Sequence, residues 1–182
     1  PGSQAADVFD ERSCMFDDVY SFNDDTNGFS KDIQDATWID PWQGAEAASC
    51  GSPVAPYDGS VASSYAYDED AGTLTLYGKG AHIGLGMVAN GAEIANIADA
   101  PDSITYQVTE LTNSSMTLDI ALVTSAGDDA FWRFKLVCAD GSCVGNNDEG
   151  STAVGEVGGT AAFTGVFDGF LADAETNTFE WP

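Results

Sequence analysis

The chain has 182 residues, with 30 Asp and Glu against 5 Lys and Arg, one His, and a formal net charge of −25. That length fits one domain, and 43% apolar with 11% aromatic residues is enough for a core, which excludes a disordered acidic tail. Five cations cannot hold a phosphate backbone, an anionic membrane or a polyanionic glycan unless a divalent cation bridges them, and no stretch reaches the roughly 20 apolar residues of a membrane span.

The opening residues lack the charged region and apolar run of a signal peptide. Pro1-Gly2-Ser3 reads as the scar of tag cleavage, and the chain ends on Trp181-Pro182. The expectation is a module excised from a larger protein: residues 1–12 a tag remnant and lead-in, residues 13–182 a single β module with a long acidic loop at about 139–159.

Strand signals follow in short steps. Residues 17–23, 28–33 and 37–40 are strand candidates, and Pro41 breaks the third. In 64–78, Asp68-Glu69-Asp70-Ala71-Gly72 makes a turn, with Leu74 and Leu76 on one face. Residues 81–85 are a further candidate, and 91–100 has room for a helical turn or two. The clearest pattern is a hairpin. Ile104, Tyr106 and Val108 alternate with polar residues, then Met116, Leu118, Ile120 and Leu122 do so after Leu-Thr-Asn-Ser-Ser. Residues 130–138, 161–167 and 178–181 complete the set. Twenty glycines and many short strands imply an all-β fold. Short steps favour neighbour pairing. The expectation is a single antiparallel β-sandwich (jelly-roll-like) or flattened meander barrel, with a lipocalin-like closed barrel as alternative.

Cys138 and Cys143 bracket a turn-forming Ala-Asp-Gly-Ser, which brings the sulfurs within bonding reach. Cys14 and Cys50 then pair by elimination. Two disulfides imply an oxidising compartment, hence a secreted or cell-surface protein, and strong acidity suits a salty exterior.

Catalytic signals are weak. His82 has no G-x-S-x-G elbow beside it. Most acids lie in turns, and Glu93, among Ala and Ile, is the exception that a glycosidase acid would resemble. Asp24, Asp25 and Asn27 crowd oxygen ligands ahead of Gly28 as a calcium loop does, though Asp and Asn also favour turns for their own sake.

The aromatics point to sugar, since flat rings stack on sugar faces while amides and carboxylates bond the hydroxyls. Trp132 alternates with Arg133 and Lys135, so it reads as core. Trp42 follows Pro41 in a loop, Tyr57 sits on a turn near the surface, and either Trp38 or Ile39 faces outward. The platform assigned is Trp38, Trp42 and Tyr57, with Asp58, His82, Asn90 and Glu93 as hydroxyl partners.

Several runs carry a resemblance. They are Phe16-Asp17-Asp18-Val19-Tyr20-Ser21-Phe22-Asn23, Thr37-Trp38-Ile39-Asp40-Pro41-Trp42-Gln43-Gly44 and Ser49 to Ser60. Gly78-Lys79-Gly80-Ala81-His82-Ile83-Gly84-Leu85 and Ala130 to Val137 complete them. Together they resemble non-catalytic carbohydrate-binding modules appended to secreted polysaccharide-degrading proteins of marine bacteria, of the family 16 β-glucanase type. The resemblance spans roughly residues 13–138. It implies a module without catalysis of its own that binds a neutral polysaccharide, an algal β-glucan such as laminarin, and holds covalently linked neighbouring domains near it. The tract 103–122 also resembles bacterial lipocalin-like domains, which keeps open a carrier of a small apolar ligand. A small glycoside hydrolase is the remaining alternative. No cofactor is implied beyond a structural calcium.

Overall fold

The computed structural model describes residues 9–123 and 127–139, together with the strand Thr160–Ala172. The described chain is all-β. Twelve strands form: β1 (Val19–Asn23), β2 (Gly28–Asp32), β3 (Thr37–Ile39), β4 (Ser49–Gly51), β5 (Ser63–Asp68), β6 (Thr73–Tyr77), β7 (Val88–Ala89), β8 (Ala92–Glu93), β9 (Ser103–Leu111), β10 (Ser115–Val123), β11 (Asp129–Cys138) and β12 (Thr160–Ala172). No helix among the described residues is long and apolar enough to cross a membrane.

Eight strands make one antiparallel sheet in the order β1-β12-β11-β10-β9-β6-β5-β2. With β2 also paired to β1, the sheet curls into a ring. Its seam is thin, for β2 and β5 share only the pairs Gly28↔Ser64 and Phe29↔Ser63. The expected meander is therefore present as a single curled sheet. Strands β3–β4 and β7–β8 form two small separate ladders.

Alternation sets the inner face. The register sets Tyr20 opposite Lys31 and Phe22 opposite Phe29, and Leu118 and Ile120 opposite Phe134 and Trp132. The apolar members of these pairs are buried. Asp18 and Lys31 share this inward phase. The hairpin read at 104–122 is β9–β10, with one register shift between Thr117 and Leu118, and that read at 64–78 is β5–β6.

One expectation is corrected. Residues 81–85 form no strand. The connection between β6 and β9 turns inward, and Ala81, His82, Ile83, Leu85, Val88 and Ala89 are buried in the ring. A loop can be buried only if its backbone is satisfied, and two interior tyrosines do this. Ile83 N–H donates to Tyr106 Oη at 2.9 Å, and Gly84 N–H donates to Tyr20 Oη at 3.0 Å. Between 91 and 100, β8 is followed by a single 3-10 turn (Ile97–Asp99) capped by Asn96. The acidic loop expected at 139–159 and the strand expected at 178–181 lie outside the described residues, apart from Ala139.

The two rims differ. Tight turns at 24–27, 69–72 and 112–114 close one rim. The connections 33–62 and 78–102 and the lead into β1 gather at the other. There Cys14 bonds Cys50, tying the lead-in to β4 as expected. Cys138 is also disulfide-bonded, and its expected partner Cys143 lies outside the described residues.

Two stability predictions follow from this packing. Gly84 has φ +73°, and a Cβ there would run into the Phe134 ring. Gly84→Ala should therefore cost about 3 kcal/mol or more in chemical denaturation. The Cys14–Cys50 link spans 36 positions, so the double Ser variant should lose about 3–4 kcal/mol by the chain-entropy model. A loss under about 1 kcal/mol in either would show that the inserted segment or the lead-in is not tightly held.

Candidate functional site at the long-loop rim

The seven assigned sugar residues do not form one exposed strip. Trp38 and Ile39 are both buried, as is Tyr57 at 4% exposure, so the outward-facing readings of Trp38 and Tyr57 are corrected. The cause is tertiary: β3 is covered on both sides, with the 3-10 turn Ser13–Met15 packed against it and Arg12 over the Trp38 ring at 5.1 Å. Trp42 is half-buried within the turn Pro41–Gln43. It meets Tyr57 edge-on at 5.3 Å, and Tyr57 meets His82 at 5.5 Å. Trp132 is core, as read from the sequence.

The others separate. Asp58 is exposed in a turn, where bonds from Ser60 hold its carboxyl below the usual range. Both ends of the Asn90 amide are taken by the Thr105 backbone, at 2.6 and 2.8 Å. Glu93 accepts the indole N–H of Trp132 at 3.0 Å.

Two groupings emerge beside β3. In the first, Arg12, Trp38, Asp40, Glu93 and Trp132 come together. Burial raises the Asp40 pKa, Arg12 opposes that rise, and Glu93 adds to it. Arg12 thus covers Trp38 and Glu93 holds Trp132, while the charges of Arg12 and Glu93 both act on Asp40, with Trp42 two positions beyond it. Alternation along β3 found Trp38, but nothing in the spacing linked Asp40 to Glu93.

The second grouping is buried and polar. Lys31 Nζ lies 2.8 Å from Asp18 Oδ2, 3.3 Å from His82 Nε2 and 3.4 Å from Thr37 Oγ1. Thr37 donates to the same Asp18 oxygen at 2.7 Å. His82 Nδ1 faces the Gly80 carbonyl at 2.8 Å, so it carries the proton and leaves Nε2 as acceptor. Burial and the Lys31 charge lower the His82 pKa to about 3, and burial pushes the Tyr57 phenol up to about 12. Asp18 Oδ1 and Tyr57 Oη are buried without a hydrogen-bond partner among the described residues. The sequence did carry a signal for this cluster: Asp18-x-Tyr20-x-Phe22 and Phe29-x-Lys31 put an acid and a base on the apolar phase of adjacent strands.

Asp24, Asp25 and Asn27 lie at the opposite rim. Asn23 Oδ1 accepts from the Thr26 amide and hydroxyl, at 2.9 and 2.6 Å, which closes the turn from within. Among the described residues no group of three or more His, Cys, Asp or Glu is placed to hold a metal ion.

No family model, curated protein or solved structure was found to match the chain.

The depressed His82 pKa has a definite pH signature. The unfolded chain binds a proton near pH 6.5 that the folded chain refuses until about pH 3, so this residue lowers stability as pH falls through that window. In unfolding titrations, wild type should lose stability relative to His82→Gln between pH 6.5 and 4. Parallel curves would mean that His82 takes up its proton at the same pH in the folded and the unfolded chain.

Proposed function

We propose that the chain is a non-catalytic carbohydrate-binding module for a neutral polysaccharide, a β-glucan of the laminarin type. In this reading it is secreted and holds attached domains near the glycan by tethering, which raises effective concentration. The supporting observation is the half-exposed Trp42, edge-on to Tyr57, at the rim that carries the long connections, with the partly buried Asp40 two positions before it and the exposed carboxylate of Glu93 on β8. An accessible indole face and bond-accepting carboxylates are what a sugar ring requires, and a site on connecting segments can vary without disturbing the sheet. The Cys14–Cys50 disulfide is compatible with an extracellular protein. The charge of −25 turns alginate and similar anionic glycans away.

The alternative of a small-ligand carrier has the curled ring in its favour. It would need room where residues 81–89 now run. A hydrolase would use Asp40, whose raised pKa suits a general acid, with Glu93, whose charge acts on it, as the second carboxylate.

Native-gel affinity electrophoresis in laminarin, mixed-linkage glucan, xylan, agarose and alginate tests the proposal, each with calcium and with chelator. Retardation by a neutral glucan and none by alginate is expected. Trp42→Ala should weaken binding about tenfold or more with unfolding unchanged. Tyr77→Ala, on the exposed outer face of β6, should leave binding intact. No retardation in any gel would remove the binding-module reading, and reducing-sugar release lost in Glu93→Gln would replace it with the hydrolase. Release by chelator would bring the Asp24, Asp25, Asn27 turn into the site.

A further inference from the structure

Asp18 and Lys31 face each other from the start of β1 and the end of β2, with side chains 0% and 9% exposed. A buried ion pair is a costly arrangement, since desolvation of both charges offsets much of their attraction. The surroundings of this pair are more elaborate than an ion pair requires. Asp18 Oδ2 accepts from Lys31, from the Thr37 hydroxyl at 2.7 Å and from the Tyr20 hydroxyl at 3.4 Å, while Oδ1 has no partner among the described residues. On the other side of the amine stands the unprotonated Nε2 of His82, 3.3 Å away.

We propose that Lys31 and Asp18 condense into an intramolecular isopeptide bond, Nζ to Cγ, with His82 as the proton carrier and one water as the only other product. The step begins when the ammonium passes a proton to the carboxylate, leaving an amine and a carboxylic acid. Burial works in that direction at both ends, raising the Asp18 pKa and lowering that of Lys31 despite their mutual attraction. A contact of 2.8 Å to Oδ2 sets Nζ about 3.5 Å from Cγ, at the edge of near-attack range. Rotation about Cβ–Cγ turns the carboxyl face towards it.

The proton passed to the carboxylate lands on Oδ2, the oxygen the ammonium touches, so Oδ1 becomes the carbonyl oxygen. The amine lone pair then forms the N–C bond and the C=O π pair moves onto Oδ1. The Thr37 and Tyr20 hydroxyls hold the Oδ2 hydroxyl in place. His82 Nε2 takes the proton that the nitrogen sheds and returns it to Oδ2, which leaves as water when the C=O bond to Oδ1 reforms. The net change is –NH3+ and –COO− to –CO–NH– and H2O. Charge is zero on both sides, and no oxidant, metal or nucleotide is needed. Two buried charges are replaced by one neutral amide, and the fold has already met the cost of bringing the groups together. The product is a covalent strut joining β1 to β2, beside the thin β2–β5 seam.

The test is the intact mass of the folded wild-type protein after disulfide reduction. The expected value is the sequence mass less one water. Chymotrypsin cleaves after Tyr20, Phe22 and Phe29, which lie between the two residues, so digestion should yield a branched peptide with Lys31 joined to Asp18. Lys31→Arg and Asp18→Ala should show full mass, and the wild-type digest decides the matter even if those variants fail to fold. His82→Gln should form the bond at least tenfold more slowly, seen as a mixture of both masses that converts with time. Full sequence mass in the folded wild type, or a lost water mapped to any other residues, overturns the proposal. Formation at the wild-type rate in His82→Gln overturns the role of His82.

Discussion

One buried cation, Lys31 as the chain folds and before any bond to Asp18 forms, organises the long-loop rim of this protein. Lys31 lies inside a ring of apolar side chains, where an ammonium is tolerated only if every proton has an acceptor. Its three acceptors come from three different segments: Asp18 before β1, Thr37 on β3 and His82 on the inserted connection. Satisfying one charge therefore draws four pieces of chain together. The same requirement explains why His82 stays neutral, since a second cation at 3.3 Å in a buried site would repel the first.

The inserted connection is the second consequence. With His82 held by Lys31, and with Ile83 and Gly84 bonded to the Tyr106 and Tyr20 hydroxyls, the residues between Gly80 and Ala89 pack where a carrier protein would keep its ligand. Interior tyrosines in an apolar ring otherwise look wasteful; here their hydroxyls replace the water that a loop backbone needs. Trp42, Asp40 and Glu93, by contrast, reach towards solvent.

The sheet was largely legible because its signal is local. A period of two over 104–122 and 64–78 needs no knowledge of partners, and the turns between the strands are rich in Asp, Asn, Ser and Gly, which bend the chain through their own backbone bonds. Residues 81–85 deceived the reading because a buried loop and a buried strand are equally apolar, and only the source of their hydrogen bonds separates them. Trp38 and Tyr57 deceived it for a related reason: exposure was inferred from a strand end and a turn, while other segments cover both residues.

From sequence alone came the all-β class, the meander order, the core position of Trp132 and the Cys14–Cys50 pairing, because each depends on alternation or counting. Tertiary structure alone decided that Glu93 holds the Trp132 indole, that Asn90 is occupied by the Thr105 backbone, and that Asp18, Lys31, Thr37 and His82 form one buried network. Those groupings join residues up to 64 positions apart in the case of Asp18 and His82, the span of their numbering, across strands that pair by curling. Periodicity records which face a side chain takes, not which distant side chain will stand opposite it.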